Sequence, residues 1–457
     1  MPNGKGGEGL EAAAKGAGTI EGPVRPQRAE PPGPVRAAGR IASIDVLRGF
    51  ALLGILVMNI NMFAFPPVAY KNPLAIGGFD GADRAAWWLS HLFFNYKMMP
   101  IFSMLFGAGL VLMHGRYESA SRPLRGIWYR RTSWLMLFGL LHGYLLWMGD
   151  ILFLYGFCGL WIYLFRKKRP GRLLVAAAVF FAVSIPIMIG GGYYMDSLRS
   201  EVGAIEAKSE SAAEVTGRER AALRQWEDMR RMMYPTGEEL EEIIDTYRDG
   251  YTGIVAHRAP VYLSMTTYMM LFGSFPPTMG LMLLGMALMK LGVFSASRGR
   301  RFYLLLAAGG YAAGIPLARA GAVRMIARDF DFIDVLMHDS VFNHIGGPLV
   351  ALGHTGLLML VCSTGALPRV RARLAAVGRM AFSNYISQTV IAVLIFHGFG
   401  LGLYASVDRS MLLFFAAGIW VVQLAASPVW LRHFRFGPLE WLWRSLTYLR
   451  TQPMRRP

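Results

Sequence analysis

His142 and Asp150 place a titratable ring and a carboxylate inside one apolar stretch, Leu141-His142-Gly143-Tyr144-Leu145-Leu146-Trp147-Met148-Gly149-Asp150. A histidine within such a stretch costs free energy unless it faces protein or a water-filled cavity, so it is a candidate for function. His142 could serve as a general base near neutral pH, with Asp150 as the carboxylate that orients it. A neutral histidine that bonds a neighbouring helix would instead serve packing alone.

The geometry of this stretch depends on whether its helix continues to Asp150. A continuous helix would separate His142 from Asp150 by about 12 Å along its axis. We therefore expect His142 in the outer half of a membrane and Asp150 near its outer surface. Lys97 begins another apolar segment at the level of Asp150 and could pair with it, although a lysine there usually extends toward the headgroups.

Several cationic residues lie near segment ends that we predict to be cytoplasmic. Arg48, Arg379 and Arg444 could bind the phosphates of a ligand there. Asp45 precedes Arg48 by one helical turn, so an intrahelical ion pair is the competing interpretation for these two residues. We take Asp45, Arg48, Arg379 and Arg444 as candidate donor-binding residues.

Amide side chains also occur inside the apolar segments. Asn384 and Gln388 lie one turn apart on one helix face, and two amides are costly to expose to lipid. They could bond neighbouring helices or line a polar pathway, whereas Asn59 is a lone polar group suited to helix packing. The candidate cavity-lining residues are Asn59, Lys97, Asn384 and Gln388.

Metal and disulfide chemistry is not indicated. His338, His344 and His354 do not share one helix face, and no carboxylate accompanies them at ligand spacing. The two cysteines, Cys158 and Cys362, both fall within predicted spans. We predict no metal site, no disulfide framework and no permanently bound cofactor.

The composition explains what must position these residues. The chain has 457 residues, of which 54% are hydrophobic and 17% charged. The apolar residues come in long runs rather than alternating patterns, which favours membrane-spanning helices over a barrel. We predict an all-α, polytopic integral membrane bundle of about ten transmembrane helices. Their approximate ranges are 44–65, 97–114, 128–146, 150–165, 173–193, 261–290, 302–318, 341–363, 376–398 and 410–431.

The net charge of +18 is distributed in a way that predicts membrane topology. The connections after the second, fourth, sixth and eighth spans, with the C-terminal tail, are rich in Arg and Lys, whereas the alternate connections are neutral or acidic. This asymmetry places both termini in the cytoplasm. The basic runs then face anionic lipid, so we predict membrane lipids as partners and no nucleic acid.

Five regions follow from this topology. Residues 1–40 form a disordered cytoplasmic tail, and residues 41–193 and 260–431 form two transmembrane halves of about five spans each. Residues 194–259 form an extracytoplasmic amphipathic helical segment, and residues 432–457 form a cytoplasmic interfacial tail.

Two local features add detail to the extracytoplasmic segment and the second transmembrane half. A capping box at Thr236 and Glu239 predicts a helix on the membrane surface or over the mouth of the bundle. Pro276-Pro277 interrupts the sixth span, which indicates a cavity because the freed carbonyls need partners.

Several motifs together resemble the YeiB-like bacterial membrane family, a family of unknown function. They are Asp45-x-x-Arg48-Gly49, Leu105-Phe106-Gly107-Ala108-Gly109, His142-Gly143 with Gly149-Asp150-Ile151-Leu152, Gly378-Arg379-Met380 with Asn384-Tyr385 and Gln388, and Phe436-Gly437-Pro438-Leu439-Glu440-Trp441. The resemblance covers residues from about 43 to 450.

The first span is also distantly similar to heparan-glucosaminide acetyltransferase and the transmembrane acyltransferase superfamily. The resemblance implies acyl transfer across a membrane by an embedded histidine. In those relatives the histidine follows the first span, and residues 66–90 here contain none. The role of His142 is therefore inferred from its placement in this chain.

Two hypotheses follow. The first is an acyltransferase that moves an acyl group from a cytoplasmic acyl-CoA, acting as co-substrate, to a lipid or glycan acceptor, with His142 and Asp150 as catalytic residues. The alternative is a transporter or flippase for an amphiphile or a small polar solute. Both place the protein in the bacterial inner membrane, and both leave a homodimer open.

Overall fold

Helices make up the regular structure of the protein. The structure, a computed structural model, describes residues 41–210, 214–268 and 273–456. Within these ranges no strand is present, apart from an isolated bridge between Phe434 and Arg455. The disordered tail predicted for residues 1–40 lies outside the described residues.

The described helices, in chain order, are α1 (Ala42–Ala64), α2 (Val68–Lys71), α3 (Gly81–Phe93), α4 (Met98–Ser119), α5 (Arg125–Leu141), α6 (Leu152–Ile162), α7 (Pro170–Glu210), α8 (Gly217–Met233), α9 (Gly237–Arg248), α10 (Tyr251–Tyr268), α11 (Phe275–Lys290), α12 (Arg300–Ala327), α13 (Phe332–Asp334), α14 (Ser340–Thr364), α15 (Pro368–Arg379), α16 (Ala381–Phe396), α17 (Arg409–His433) and α18 (Pro438–Tyr448). A π-helical turn, His142–Leu146, continues α5.

Six helical segments among the described residues are long and apolar enough to cross a membrane. They are Ala42–Ala64, Gly81–Ser119, Pro170–Glu210, Arg300–Ala327, Phe332–Thr364 and Arg409–His433. The pair α15 and α16, bent by 83°, would make a seventh span. An all-helical protein with several candidate membrane spans is therefore confirmed, whereas the count of ten and the side of the termini stay predictions.

The difference in count has a physical cause. Helix α6 is 11 residues long, too short to cross the hydrocarbon alone, since a span needs about 20 residues. The predicted sixth span covers the end of α10 and all of α11, with residues 269–272 outside the described ranges. Proline lies in the first turn of α11. Proline fits the first turn because its missing N–H has no helical partner there.

Helix α1 is central and α7 is peripheral. In the most apolar 18-residue stretch of each helix, 72% of the residues of α1 are buried inside the protein, but only 17% of those of α7. α1 crosses α15 closely because Gly49 faces the carbonyl of Leu374 and Gly378 faces the carbonyl of Asp45. A Cβ at either glycine would clash with backbone, so this crossing requires glycine on both helices.

Helices α8, α9 and α10 follow α7 and reach back over the bundle. The capping box of Thr236 and Glu239 is confirmed at the start of α9. Tyr247 of α9 stacks on Tyr404, with ring centroids 4.6 Å apart, and its carbonyl accepts the N–H of Gly398 at 2.9 Å. Helix α9 therefore covers one mouth of the bundle. The predicted limits at 193 and 260 fall inside α7 and α10, which run through them.

Candidate functional site

His142 and Asp150 form a buried pair. The Nδ1 atom of His142 lies 2.9 Å from Oδ1 of Asp150, and the two side chains are 1% and 0% exposed. The expected axial separation of about 12 Å is wrong because the helix is not continuous. α5 passes into the π-helical turn, Trp147 adopts an extended conformation (φ −165°, ψ 130°), and the chain folds back so that Asp150 faces His142.

The end of this turn is held by side chains of α10. Arg258 donates to the carbonyls of Leu146 at 2.7 Å and Tyr144 at 2.9 Å, and Tyr251 donates to Leu145 at 2.8 Å. These carbonyls have no partner further along the helix, so they need donors from elsewhere. Arg258 is 2% exposed and was not singled out by the sequence analysis, because nothing local relates it to residues more than a hundred positions earlier.

Asp150 also begins the next helix. Its Oδ2 accepts the backbone N–H of Phe153 at 2.7 Å. This bond satisfies a free donor in the first turn of α6 and fixes the carboxylate plane. Asp150 is therefore positioned independently of His142, and it can orient the ring.

The second ring nitrogen of His142 faces a hydroxyl. Nε2 lies 3.0 Å from Oγ1 of Thr389 on α16, and the ring of Tyr385 packs at 5.1 Å. With the Nδ1 proton donated to Asp150, Nε2 is the acceptor of the Thr389 hydroxyl. The carboxylate, the imidazole and the hydroxyl therefore form a chain of two hydrogen bonds. Thr389 was missed because one threonine in an apolar helix carries no local signal.

The candidate donor-binding residues gather at the other end of α5. Arg48 donates to Asp45 at 2.9 Å and to the carbonyl of Gly378, the neighbour of Arg379, at 3.4 Å. The local ion pair predicted for Asp45 and Arg48 is therefore present. The positive charge of Arg48 also repels that of Arg131 on α5.

Arg131 and Arg444 complete this group. The Cζ atom of Arg131 lies 3.6 Å from the centroid of the Trp443 ring, and that of Arg444 lies 4.8 Å from the centroid of the Phe436 ring. The charge of Arg444 also repels that of Arg131. We call Arg48, Arg131 and Arg444 the arginine cluster, and Arg379 follows the residue whose carbonyl accepts from Arg48. Sequence analysis did not single out Arg131, because nothing in local spacing relates it to Arg48 or Arg444.

Glu440 joins α18 to the bent pair α15 and α16. Its carboxylate accepts the N–H groups of Phe382 at 2.6 Å and Ser383 at 3.1 Å, and the Ser383 hydroxyl at 2.6 Å. It caps α16 from a distant part of the chain. Burial is the main cause that raises the pKa of Glu440, and these hydrogen bonds oppose it.

One face of α5 connects the arginine cluster to His142. Arg131, Phe138 and His142 recur at helical spacing, and the rise from Arg131 to His142 is about 16 Å. The ring of Phe138 packs against that of Phe382 with the centroids 5.3 Å apart, and the ring of Phe382 packs against that of Trp443 with the centroids 5.9 Å apart. An aromatic wall thus lies between the two polar groups.

Asn384 and Gln388 serve helix packing in this structure. Asn384 donates to Val377 and Ser427, and Gln388 donates to Leu52 at 3.3 Å and to Gln423 at 2.9 Å. Of the two interpretations of these amides, the structure shows the interhelical bonds. Asn59, on α1, is half-buried.

Lys97 does not pair with Asp150. It is fully buried and donates to the carbonyl of His91 and to Oδ1 of Asn343, both at 2.6 Å. The expectation failed because Asp150 folds inward to His142 rather than standing at the outer surface. In the described ranges no group of three or more His, Cys, Asp or Glu side chains is placed to hold a metal ion.

The chain is similar to proteins whose function is not established. Residues 288–450 match the family model described as "Protein of unknown function (DUF418)". The "Uncharacterized protein YxaH" of Bacillus subtilis is 31% identical over 91% of this chain and 96% of its own length. The "Uncharacterized protein YeiB" of Escherichia coli is 30% identical over 89% of this chain and 96% of its own length. No solved structure matches the chain.

Proposed function

The chain belongs to the YeiB-like family of unknown function, DUF418, and from its own site we propose a membrane-embedded acyltransferase. It would move an acyl group from a cytoplasmic acyl-CoA-type donor to a lipid or glycan acceptor. The observation that carries the proposal is the buried chain of hydrogen bonds from Asp150 to His142 and from His142 to a hydroxyl. We place the protein in the inner membrane of a bacterium, because its named relatives are bacterial and its helices are apolar.

His142 has the geometry of a general base. Asp150 holds Nδ1 as the protonated nitrogen, which leaves the Nε2 lone pair for an incoming proton. The Thr389 hydroxyl, 3.0 Å from Nε2, occupies the position that an acceptor hydroxyl or amine would take. A substrate that displaces Thr389 would therefore meet an oriented base in a site closed to water.

The arginine cluster supports the donor side of the proposal. Three guanidinium groups interact at one end of the bundle, since the charges of Arg444 and Arg48 repel that of Arg131. Phosphate groups would relieve this repulsion through charge-assisted hydrogen bonds. The extended arm of an acyl-CoA could then follow the aromatic wall of α5 over the roughly 16 Å to His142.

The chemical step conserves atoms and charge. Nε2 of His142 takes the proton of the acceptor hydroxyl as its oxygen attacks the thioester carbonyl carbon. The carbon–sulfur bond breaks, the thiolate leaves and takes the proton from His142, and the acyl ester and free thiol are released.

The test separates donor binding from transfer. Purified protein in nanodiscs made from bacterial lipids is incubated with radiolabelled acetyl-CoA or a longer acyl-CoA. We expect saturable donor binding and labelled product in the lipid or glycan fraction. His142→Ala should retain binding and lose at least about 100-fold of the transfer rate, which is the usual contribution of a general base. Arg48→Ala should lose donor binding.

A matched control is Arg432→Ala, an exposed arginine on α17, which should bind and transfer normally. Transfer that persists in His142→Ala would contradict the catalytic role. Failure of the wild-type protein to bind any acyl-CoA would contradict the donor class.

Transport remains the second candidate because of an apolar cavity of about 490 Å³ between α16 and α17, lined by residues such as Ile391 and Phe414. The cavity is separated from the 83° bend between α15 and α16 by about 16 Å of helix rise. Such a cavity, open to the lipid side, suits an amphiphile. In the same nanodisc experiment a transporter would yield no covalent product.

A further inference from the structure

A second cationic site lies where α1 ends and α17 begins. A cavity of about 30 Å³ is lined by Asn61 of α1, Trp87 and His91 of α3, and Arg409 of α17. Asn61 follows Arg48 on α1 by about 20 Å of helix rise. The cavity is therefore remote from the arginine cluster, and we name it the α17 cavity.

Arg409 is a buried cation without a carboxylate within 4.0 Å in the described part of the chain. Its side chain is 6% exposed, and Nε makes no hydrogen bond there. One terminal nitrogen donates to Asn61 Oδ1 at 2.8 Å, and the other reaches the carbonyl of Pro73 at 3.5 Å. Asp83 acts on its charge from further away, and its Oδ1 accepts the N–H of Ser410.

His91 adds a second buried polar group to the α17 cavity. It is 4% exposed, its ring stacks on Trp87 with the centroids 4.8 Å apart, and among the described residues its nitrogens have only a weak hydrogen-bond partner, the backbone of Ala318. Its carbonyl accepts from Lys97, whose amino group is also buried and bonded to neutral partners. Buried polar atoms and buried charges that lack partners are costly, so a ligand with complementary charge is expected.

The first turn of α17 already has a carboxylate partner, because Asp83 accepts the N–H of Ser410. Arg409 is the first residue of α17, a helix of 25 residues, and Asp408 before it makes no side-chain cap. The N-terminal end of a helix carries partial positive charge and favours anions. Beside this occupied helix end, a buried guanidinium and a buried imidazole line one small cavity.

We propose that the α17 cavity binds a compact monovalent anion. Its volume exceeds the minimum of about 10–15 Å³ that one water molecule needs, which suits a halide ion or a terminal carboxylate. A whole sugar phosphate or nucleotide would not fit. The site is additional to acyl transfer, and it lies at the end of the bundle that we predict to be extracytoplasmic.

The test measures anion binding directly. Protein in nanodiscs, prepared in a buffer whose anion is a bulky sulfonate, is dialysed to equilibrium against radiolabelled chloride or radiolabelled acetate. We expect saturable binding of one or both anions, with a rise in the thermal unfolding midpoint. Chloride alone would indicate a halide site, whereas acetate would indicate that the carboxylate of a larger solute can enter.

Two variants test the residues. Arg409→Gln removes the charge, and Asn61→Asp keeps the acceptor for Arg409 but supplies an internal anion. Each should weaken binding at least about tenfold, because hydrogen bonds to charged groups are the strong ones. Arg432→Gln, on the exposed far end of the same helix, should bind normally.

Asn61→Asp keeps the test decisive if Arg409→Gln does not fold. The absence of saturable binding of both anions in the wild-type protein would overturn the proposal. Equal binding by wild type and by the variants that fold would overturn it as well.

Discussion

Buried polar side chains in this protein are held by residues that are distant in sequence. His142 is bonded at one ring nitrogen by Asp150 and at the other by Thr389. Glu440 bonds Phe382 and Ser383, which precede it by 58 and 57 positions. A buried group left without its partner costs about 1–3 kcal/mol, so each of these residues helps to select one arrangement of the helices.

Glu440 should make stability depend on pH. Because its pKa is raised in the folded state, the folded protein binds the proton more tightly than the unfolded chain. The stabilisation that Glu440 contributes is therefore fully present below the pKa that the group has in the unfolded chain. It is lost as the pH rises through the pKa of Glu440 in the folded protein. The apparent unfolding midpoint of the purified protein, followed by intrinsic fluorescence from acid to neutral pH, should fall over this range.

Glu440→Gln should remove this dependence, because the amide keeps an acceptor for the α16 backbone and does not ionise. Glu440→Ala should lose about 1–2 kcal/mol, as for a deleted helix cap. Glu118→Gln, at an exposed glutamate, is the matched control. An unchanged pH profile in Glu440→Gln would contradict the assignment.

At the scale of elements, the interruptions of helices shape the site. The break after α5 returns Asp150 to His142, and the break between α15 and α16 brings Gly378 against α1. Each break is capped from another helix, by Arg258 in the first case and Glu440 in the second. Broken helices persist where protein groups satisfy the freed backbone, as they do here.

Arg258→Met should destabilise the break after α5. The substitution keeps much of the buried volume but leaves the carbonyls of Tyr144 and Leu146 without donors. The loss should be about 2–4 kcal/mol, and any transfer activity should fall with it because Asp150 is no longer held against His142. Thermal unfolding and the labelled-product assay measure the two effects.

The control for this prediction is Arg231→Met on α8, at an exposed arginine. It should change the stability by less than about 0.5 kcal/mol. Equal stability of Arg258→Met and the control would show that the carbonyl bonds do not maintain the break.

At the scale of the whole molecule, the charge distribution predicts orientation. Basic connections such as that between α4 and α5 should face the cytoplasm, and the α1–α3 connection should face outward. In this orientation the arginine cluster meets cytoplasmic ligands, while the α17 cavity opens to the other side. The two proposed sites would therefore sample different compartments.

Cysteine labelling in intact cells tests this orientation. In a background with both native cysteines replaced by alanine, Asp80→Cys should react with a membrane-impermeant maleimide from outside. Ala120→Cys should react after the cells are permeabilised, because both positions are exposed but lie on opposite sides. Labelling of Ala120→Cys in intact cells would show the opposite topology. It would contradict a donor site that faces the cytoplasm.

Local patterns predicted much of the fold. The long apolar runs gave α1, α12, α14 and α17, since hydrophobic length alone decides whether a helix can span a membrane. The capping box of Thr236 and the ion pair of Asp45 with Arg48 were predictable because their partners lie within one turn. The number of spans was less predictable, because breaks such as those after α5 and α15 depend on caps from distant helices.

The sequence by itself determined that this is a helical protein with membrane-spanning segments and that His142 and Asp150 are unusual in their surroundings. The tertiary structure alone decided that the two residues touch, that Thr389 meets the other ring nitrogen, and that Lys97 bonds Asn343 instead of Asp150. The reason is physical: composition and spacing act over one or two turns of helix. The partners of a buried polar group are chosen by helix packing, which joins residues hundreds of positions apart.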